Sequence, residues 1–248
     1  MRKYHAPLNW LRCDPRHHRF VLPNTVWNYH LRPVEFVIFS YLCYCSAHGQ
    51  ANKLTPKVVA EGVYLTVTSV KKYLTGLLSK GLVADGWSLT PEFQVINSEK
   101  FFTLPNEVFL LKLPPSAFVV YAYLLLIEDR RTHTCHPSYN TIVAATGTSK
   151  NTAIKSISVL LEVGLITAES SSYFDKRGMK WKGNNLYTIL PVRSAVDAFH
   201  QRQLRQLELD TERRRVRRWQ EEYDRRHPRT ALCASAVAQA TPDPSPVA

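Results

Sequence analysis

Cysteine is scarce in this sequence of 248 residues: five in all, an odd number, with no Cys-x-x-Cys among them. That argues against a disulfide framework and fits a reducing compartment, so a cytoplasmic location is expected. Two clusters come nearest to a metal set, Cys43-x-Cys45-x-x-His48 and His133-x-Cys135-His136. Neither has a usual zinc spacing, and Cys43 and Cys45 fall on different faces of a helix. No metal and no other cofactor is expected. Also absent is any run near the roughly 20 apolar residues of a membrane helix. The opening segment, MRKYHAPLNWLRCDPRHHRF, is basic but lacks the apolar stretch of a secretory signal. No membrane partner is expected. Gly-rich phosphate loops, Gly-x-Ser-x-Gly and His-Glu-x-x-His are missing as well, which leaves no framework for an enzyme. Tyrosine-based nicking would normally need a paired-histidine metal motif, and that is absent too.

Acidic residues are the minority charge. Twenty Asp and Glu face 32 Lys and Arg, for a formal net charge of +12. A surplus of this size favours a polyanionic partner through phosphate contacts and counterion release, although proteins of membrane surfaces and ribosomes share it. Where the charge sits decides more than its sum.

What the sequence does contain is a repeat. FVLPNTVWNYHLRPVEFVIFSYL from Phe20 recurs as FTLPNEVFLLKLPPSAFVVYAYL from Phe102. Phe20, Leu22, Pro23, Asn24, Val26, Leu31, Pro33, Phe36, Val37, Tyr41 and Leu42 return as Phe102, Leu104, Pro105, Asn106, Val108, Leu113, Pro115, Phe118, Val119, Tyr123 and Leu124. The likeness continues more weakly through Leu54 to Val83 and Pro137 to Ile166. Both stretches close on Leu-Leu, two further residues, then Gly-Leu and a β-branched residue. Two copies mean a duplicated domain and not a solenoid, with the boundary near Asn97 to Lys100.

The second copy is the clearer one. Pro115 to Glu128 is apolar on nearly every face and has proline as an N1 helix former, so it reads as a buried first helix. Arg130 to His136 is polar and reads as a loop. Pro137-Ser138 opens a second helix, with Ile142, Val143 and Ala145 inward and Gly147 as its stop. Thr148 or Ser149 caps a third, running to about Val163 with Ala153, Ile157, Leu160 and Leu161 inward and Gly164 as its end. A short helix, a glycine turn and a capped helix make a helix-turn-helix. Leu165 to Tyr173 and Asn185 to Pro191 then read as two strands joined by Phe174 to Asn184. A helix-turn-helix followed by a hairpin is a winged helix.

The hairpin tip is expected to hold Lys176, Arg177, Lys180 and Lys182, with Trp181 among them. A cationic wing suits phosphate or minor-groove contact, and the alternative is a solubilising turn. The first copy follows the same plan, with helices from about Pro33 to Ala47, Pro56 to Gly62 and Thr66 to Lys80. Its third helix offers Thr68, Lys71 and Lys72. Its wing, Ala84 to Ser88, is short and has no Lys or Arg, so this copy either touches DNA with its third helix alone or serves dimerisation.

PSYNTIVAATGTSKNTAIKSISVLLEVGLI closely resembles the helix-turn-helix domains of replication initiators and replisome organisers. Those proteins come from plasmids, phages and integrative conjugative elements of Gram-positive bacteria. The matching features are Pro137-Ser138, Gly147-Thr148-Ser149, Thr152 and the closing Leu160 to Ile166. The Leu-Pro-Asn lead-in before the first helix is similar as well, and the paired arrangement is similar to plasmid initiators with two winged helices. The resemblance implies a DNA-binding winged helix and a role in replication initiation of a mobile element, with Ser149, Lys150, Asn151 and Lys155 on the recognition surface. Transcription factors share the motif, and some winged helices bind protein instead.

The expected fold class is therefore mainly α with small β-hairpins (α+β): residues 1–19 a basic arm, 20–97 and 101–191 two winged helix-turn-helix domains, 192–229 an Arg-rich helix, and 230–248 a disordered tail. Duplex DNA is the expected partner, with a second copy of the chain and the replication machinery as further candidates. Asn151 can read adenine bidentately, and Lys150 or Lys155 can reach guanine or phosphate. The alternative is a solvated helix face. The run Arg213 to Arg218 is interleaved with acids, so a solvated helix and a DNA-contacting one both fit it. Arg12, Arg16, His17, His18 and Arg19 either track a groove or hang free.

Overall fold

Each repeat begins with a helix that is apolar all round, and a helix of that kind has to be interior. In the computed structural model, which describes residues 18–50, 54–84, 86–90, 100–174 and 177–227, these are α1 (Pro33–Ala47) and its counterpart Pro115–Ile127. The chain is mainly helical with small antiparallel sheets, and it divides into one compact unit over residues 1–199 and another over 200–248.

In the first unit, β1 (Arg19–Pro23) and a 3₁₀ turn lead into α1, followed by α2 (Pro56–Val63) and α3 (Val67–Ser79). The second repeat gives β2 (Phe101–Pro105), another 3₁₀ turn, α4 (Pro115–Ile127), β3 (Thr134–Cys135), α5 (Tyr139–Thr146), α6 (Lys150–Val163), β4 (Ile166–Phe174) and β5 (Lys180–Ile189). Proline at N1 starts α1 and α4 where a missing N–H costs nothing. In α1 the buried Glu35 carboxylate accepts from Arg32 N–H at 3.0 Å and from Lys80 Nζ at 2.8 Å, tying the helix start to the end of α3. The shorter helices are amphipathic. Val70, Leu74 and Leu77 of α3, and Ala153, Ile157 and Leu160 of α6, turn one stripe into the core.

The two repeats do not form separate cores. β1 pairs with β2 antiparallel, α1 packs on α4, and the buried side chains of both make one cluster. The pairing has an internal two-fold. Phe20 lies opposite Leu104 and Leu22 opposite Phe102, while Val21 faces its own repeat counterpart Thr103. The aromatic contacts obey the same symmetry. Phe20 against Phe109 at 5.7 Å is matched by Trp27 against Phe102 at 6.1 Å. Tyr41 against Phe109 at 5.2 Å is matched by Tyr123 against Trp27 at 5.7 Å. Phe36 meets its own counterpart Phe118 at 6.3 Å, on the axis. Even the backbone complies: Asn24 N–H donates to Lys100 O at 3.2 Å and Asn106 N–H to His18 O at 2.9 Å. One residue contacts a second while the second's twin contacts the first's, which is the geometry of an isologous dimer within one chain.

Three features differ from the sequence expectation. The stretch before each first helix is a strand, and the two strands pair across the repeats. The loop after α4 contains β3, which pairs with β5 to complete a sheet ordered β3-β5-β4. And β5 begins at Lys180 and not Asn185, because it follows β4 past a bulge between Ser170 and Ser172. The expected boundary at Asn97 falls outside the described residues, as do the tail 230–248 and all but the end of the basic arm.

The last helix, α7 (Val192–Arg226), starts in the first unit with Ala195 and Val196 buried. In the second unit it is solvated and laced by pairs one turn apart, Arg217 to Glu221 at 3.1 Å and Arg226 to Glu222 at 2.5 Å. Trp219 stacks on Tyr223 at 5.5 Å, both exposed.

Candidate nucleic-acid interface

The turn into α6 is built by hydroxyl groups. Ser138 caps α5 by accepting from Thr141 N–H at 3.0 Å, and Gly147 closes it in the left-handed region, φ 64°. Glycine meets no Cβ penalty there. Thr146 donates to Ile142 O at 2.7 Å and shares a hydrogen bond with Thr148 at 2.8 Å, both side chains buried. Ser149 then caps α6, accepting from Thr152 N–H at 3.2 Å. Of the two residues the sequence offers as cap, the structure uses Ser149.

This fixes which side chains α6 presents. Ser149, Lys150, Asn151 and Lys155 are exposed, opposite the buried stripe of Ala153, Ile157 and Leu160. The Asn151 amide meets no partner among the described residues. Lys150 brings a cation to the positive end of the helix dipole, where nothing acidic occupies the first turn. Such an end attracts an anion, and the first-turn N–H groups not used by the cap point toward it.

The first repeat presents α3 in the same way. Thr66 caps it, accepting from Ser69 N–H at 3.2 Å, and Thr68, Lys71 and Lys72 are exposed. Its approach differs. Where α5 ends on glycine, α2 ends on Tyr64 at φ 57°, an unusual conformation for a residue with a Cβ. Lys112 lies over the Tyr64 ring, 4.6 Å from its centroid.

The wings are unequal. In the second repeat Arg177 is exposed beside Gly178 at φ 76°, while Lys176 lies outside the described residues. Lys180 and Lys182 are not at the tip. They sit in β5 opposite Phe174 and Ser172, because the ladder runs further than the polar, Asn- and Gly-containing sequence suggests. The described part of the connection between the strands is residues 177–179. The first wing is a single bridge between Val83 and Leu89, with Ala84 N–H donating to Ser88 O at 2.8 Å. No Lys or Arg lies in it.

Two residues not singled out in the sequence lie on the same exposed helix faces. Ile154 is 39% exposed on α6 and Val67 is 39% exposed on α3, each beside the lysines named above. The signal was available, since Ile154 falls outside the 153–157–160 stripe. Cys43, Cys45 and Cys135 are buried, and burial pushes the thiols of Cys45 and Cys135 up to about 12. No cluster of three or more His, Cys, Asp or Glu able to hold a metal occurs among the described residues.

Residues 111–166, from the end of the second 3₁₀ turn to the start of β4, match the family model of a helix-turn-helix domain. The chain therefore carries a helix-turn-helix domain in its second repeat. Among solved structures, a possible transcriptional regulator from Methanosarcina mazei Go1 is similar at 15% identity, over 45% of this chain and 89% of that one, with a TM-score of 0.31. Overlap this loose carries nothing about function. No curated protein matches the chain. Among the described residues, no helix is long and apolar enough to cross a membrane.

Proposed function

We propose that the chain is a sequence-specific duplex DNA-binding protein that reads bases with α6 and grips phosphates with the second wing. The observation that carries this reading is the capped, solvent-facing start of α6, with Lys150, Asn151 and Lys155 exposed, inside a segment that matches a helix-turn-helix family. In such domains the N-terminal part of the recognition helix meets the base edges of the major groove. Asn151 supplies a bidentate amide for adenine, and the lysines supply guanine or phosphate contacts. Arg177, together with Lys176, Lys180 and Lys182 close to it in sequence, supplies positive charge to the second wing. The chain acts as a binder and not as a catalyst, in the cytoplasm.

The process served is replication initiation of a mobile element. That reading rests on the resemblance of Pro137 to Ile166, and transcriptional regulation is the second reading, because it uses the same surface. Titration of the full chain against a random-sequence duplex at several salt concentrations tests DNA binding itself. With a net charge of +12, log affinity should fall steeply with log salt. An affinity indifferent to salt refutes the proposal. Origin-dependent maintenance of a reporter plasmid, against repression of a reporter promoter, separates the two processes.

A further inference from the structure

A protein with an internal two-fold presents two equivalent faces, and B-DNA has two-fold axes of its own perpendicular to the helix. When the axes coincide, equivalent recognition helices meet half-sites in inverted orientation. Here the two-fold is documented by the β1–β2 register, by Phe36 against Phe118 and by the matched aromatic pairs around them. It relates α3 to α6. The helices align through their caps, Thr66 and Ser149, and through buried Val70, Leu74 and Leu77 set against Ala153, Ile157 and Leu160.

The exposed faces are unlike. After the cap, α6 offers Lys150, Asn151, Ile154 and Lys155, and α3 offers Val67, Thr68, Lys71 and Lys72 at the same positions. Only the last position is the same residue. An amide fitted to adenine stands on one helix where a threonine stands on the other. A branched aliphatic, Ile154, stands where the other helix has Lys71. One exposed aliphatic is ordinary on a protein surface. Two of them on the equivalent reading faces, each among lysines, suit the C5 methyl of thymine, which is the apolar feature of the major groove.

From this we infer that a single copy of the chain reads a composite site of two unlike half-sites in inverted orientation. The α6 half-site contains an adenine met by Asn151 and a thymine met by Ile154. The α3 half-site contains a thymine met by Val67. Because the halves differ, the site has a direction, and the protein sits on it one way round. A symmetric dimer on a palindrome has no such direction. The inference rests on the DNA-binding reading above and adds the architecture and base content of the target.

The test is a binding selection with the full chain on a random duplex library, followed by probes of the enriched site. In the probes the α3 half-site is kept, reversed in place, or scrambled. The expected enriched site has two unlike inverted halves bound by one protein copy. Reversing or scrambling the α3 half should weaken binding by about tenfold or more, as loss of one or two specified base pairs does. Replacing the thymine opposite Ile154 by deoxyuridine, which removes only the methyl, should cost roughly fourfold. Ile154→Ala should cost about the same, and the two changes together little more than either alone. Ile154 is exposed, so this variant keeps its fold, and an unchanged thermal melt checks that. A perfect palindrome, a lone half-site or a direct repeat overturns the inference while leaving specific DNA binding intact, as does deoxyuridine that costs nothing. Failure to enrich any sequence overturns the DNA-binding reading and this inference together.

Discussion

Asn151→Ala separates reading bases from holding DNA. The side chain is exposed at the start of α6 and meets no partner among the described residues, so nothing in the fold depends on it. Alanine is the better helix former, and thermal stability should be unchanged or rise by a few tenths of a kcal/mol. The loss falls on recognition. A bidentate amide–adenine contact discriminates by about 1–3 kcal/mol, so affinity for the preferred site should drop roughly 5- to 150-fold. Affinity for shuffled DNA should hardly move. Lys150→Ala is the control, one residue away and equally exposed. If it mainly meets phosphate, it weakens both duplexes alike and makes the salt slope shallower by about 1. Fluorescence anisotropy of both variants on preferred and shuffled duplexes, at three salt concentrations, gives all these numbers. If Asn151→Ala keeps the wild-type preference, the reading surface is misplaced and α3 becomes the principal reader.

Replacing Lys176, Arg177, Lys180 and Lys182 together with glutamine should weaken binding to every duplex, while shortening the first wing between Val83 and Leu89 should do much less. Equal losses in the same gel-shift titration would refute the asymmetry of the wings. Gly62→Ala probes the fold: a Cβ there would collide with the Tyr41 ring, which lies buried in the core. Overpacking of this kind costs on the order of 1–3 kcal/mol, and chemical denaturation should register it; Tyr41→Leu in the same chain should relieve part of the loss.

Helix ends were legible in the sequence wherever a residue type does a job only it does well. Proline at N1 of α1 and α4, a cap at Thr148 or Ser149, a helix start at Thr66, and Gly147 and Gly164 as stops put these ends within a residue or two of their observed places. The strands fared worse for two physical reasons. β1 and β2 are five residues each, and their partners lie a whole repeat apart, so nothing local marks them as strands. Their buried residues alternate, but that pattern also fits an apolar lead-in to a helix. In β5, Lys180, Gly183, Asn184 and Asn185 have poor strand propensity. The ladder with β4 overrides it, helped by a bulge where Ser171 donates to Asn184 O. Of the proposed reading surface, Lys150, Asn151 and Lys155 were named through the resemblance of Pro137 to Ile166, and they prove to be exposed on α6. Ile154 could have been found from its place outside the 153–157–160 stripe, but an aliphatic residue is ordinarily assigned to the core, and exposure of Ile154 and Val67 became plain only in the fold.

The shared core also sets how strictly the DNA must be spaced. Two winged helices on a flexible tether would tolerate half-sites at many separations, because the tether adjusts. Here the repeats are joined by a β-ribbon and by α1 on α4, sealed with rings from both copies such as Phe20, Trp27, Phe36 and Phe118. Interiors packed in this way do not slide. Two helices reading one face of a duplex need half-site centres about one helical turn apart, ~34 Å, or a multiple of it. Inserting about half a turn, 5 base pairs, rotates the second half-site to the far side of the helix. Binding should then fall to that of a single half-site, and a full turn of about 10 base pairs should not restore the original affinity, since the fixed core cannot lengthen its reach. Anisotropy on a ladder of spacers from 0 to about 10 base pairs would show one narrow optimum. A broad plateau would mean that the ribbon opens and the two repeats read independently.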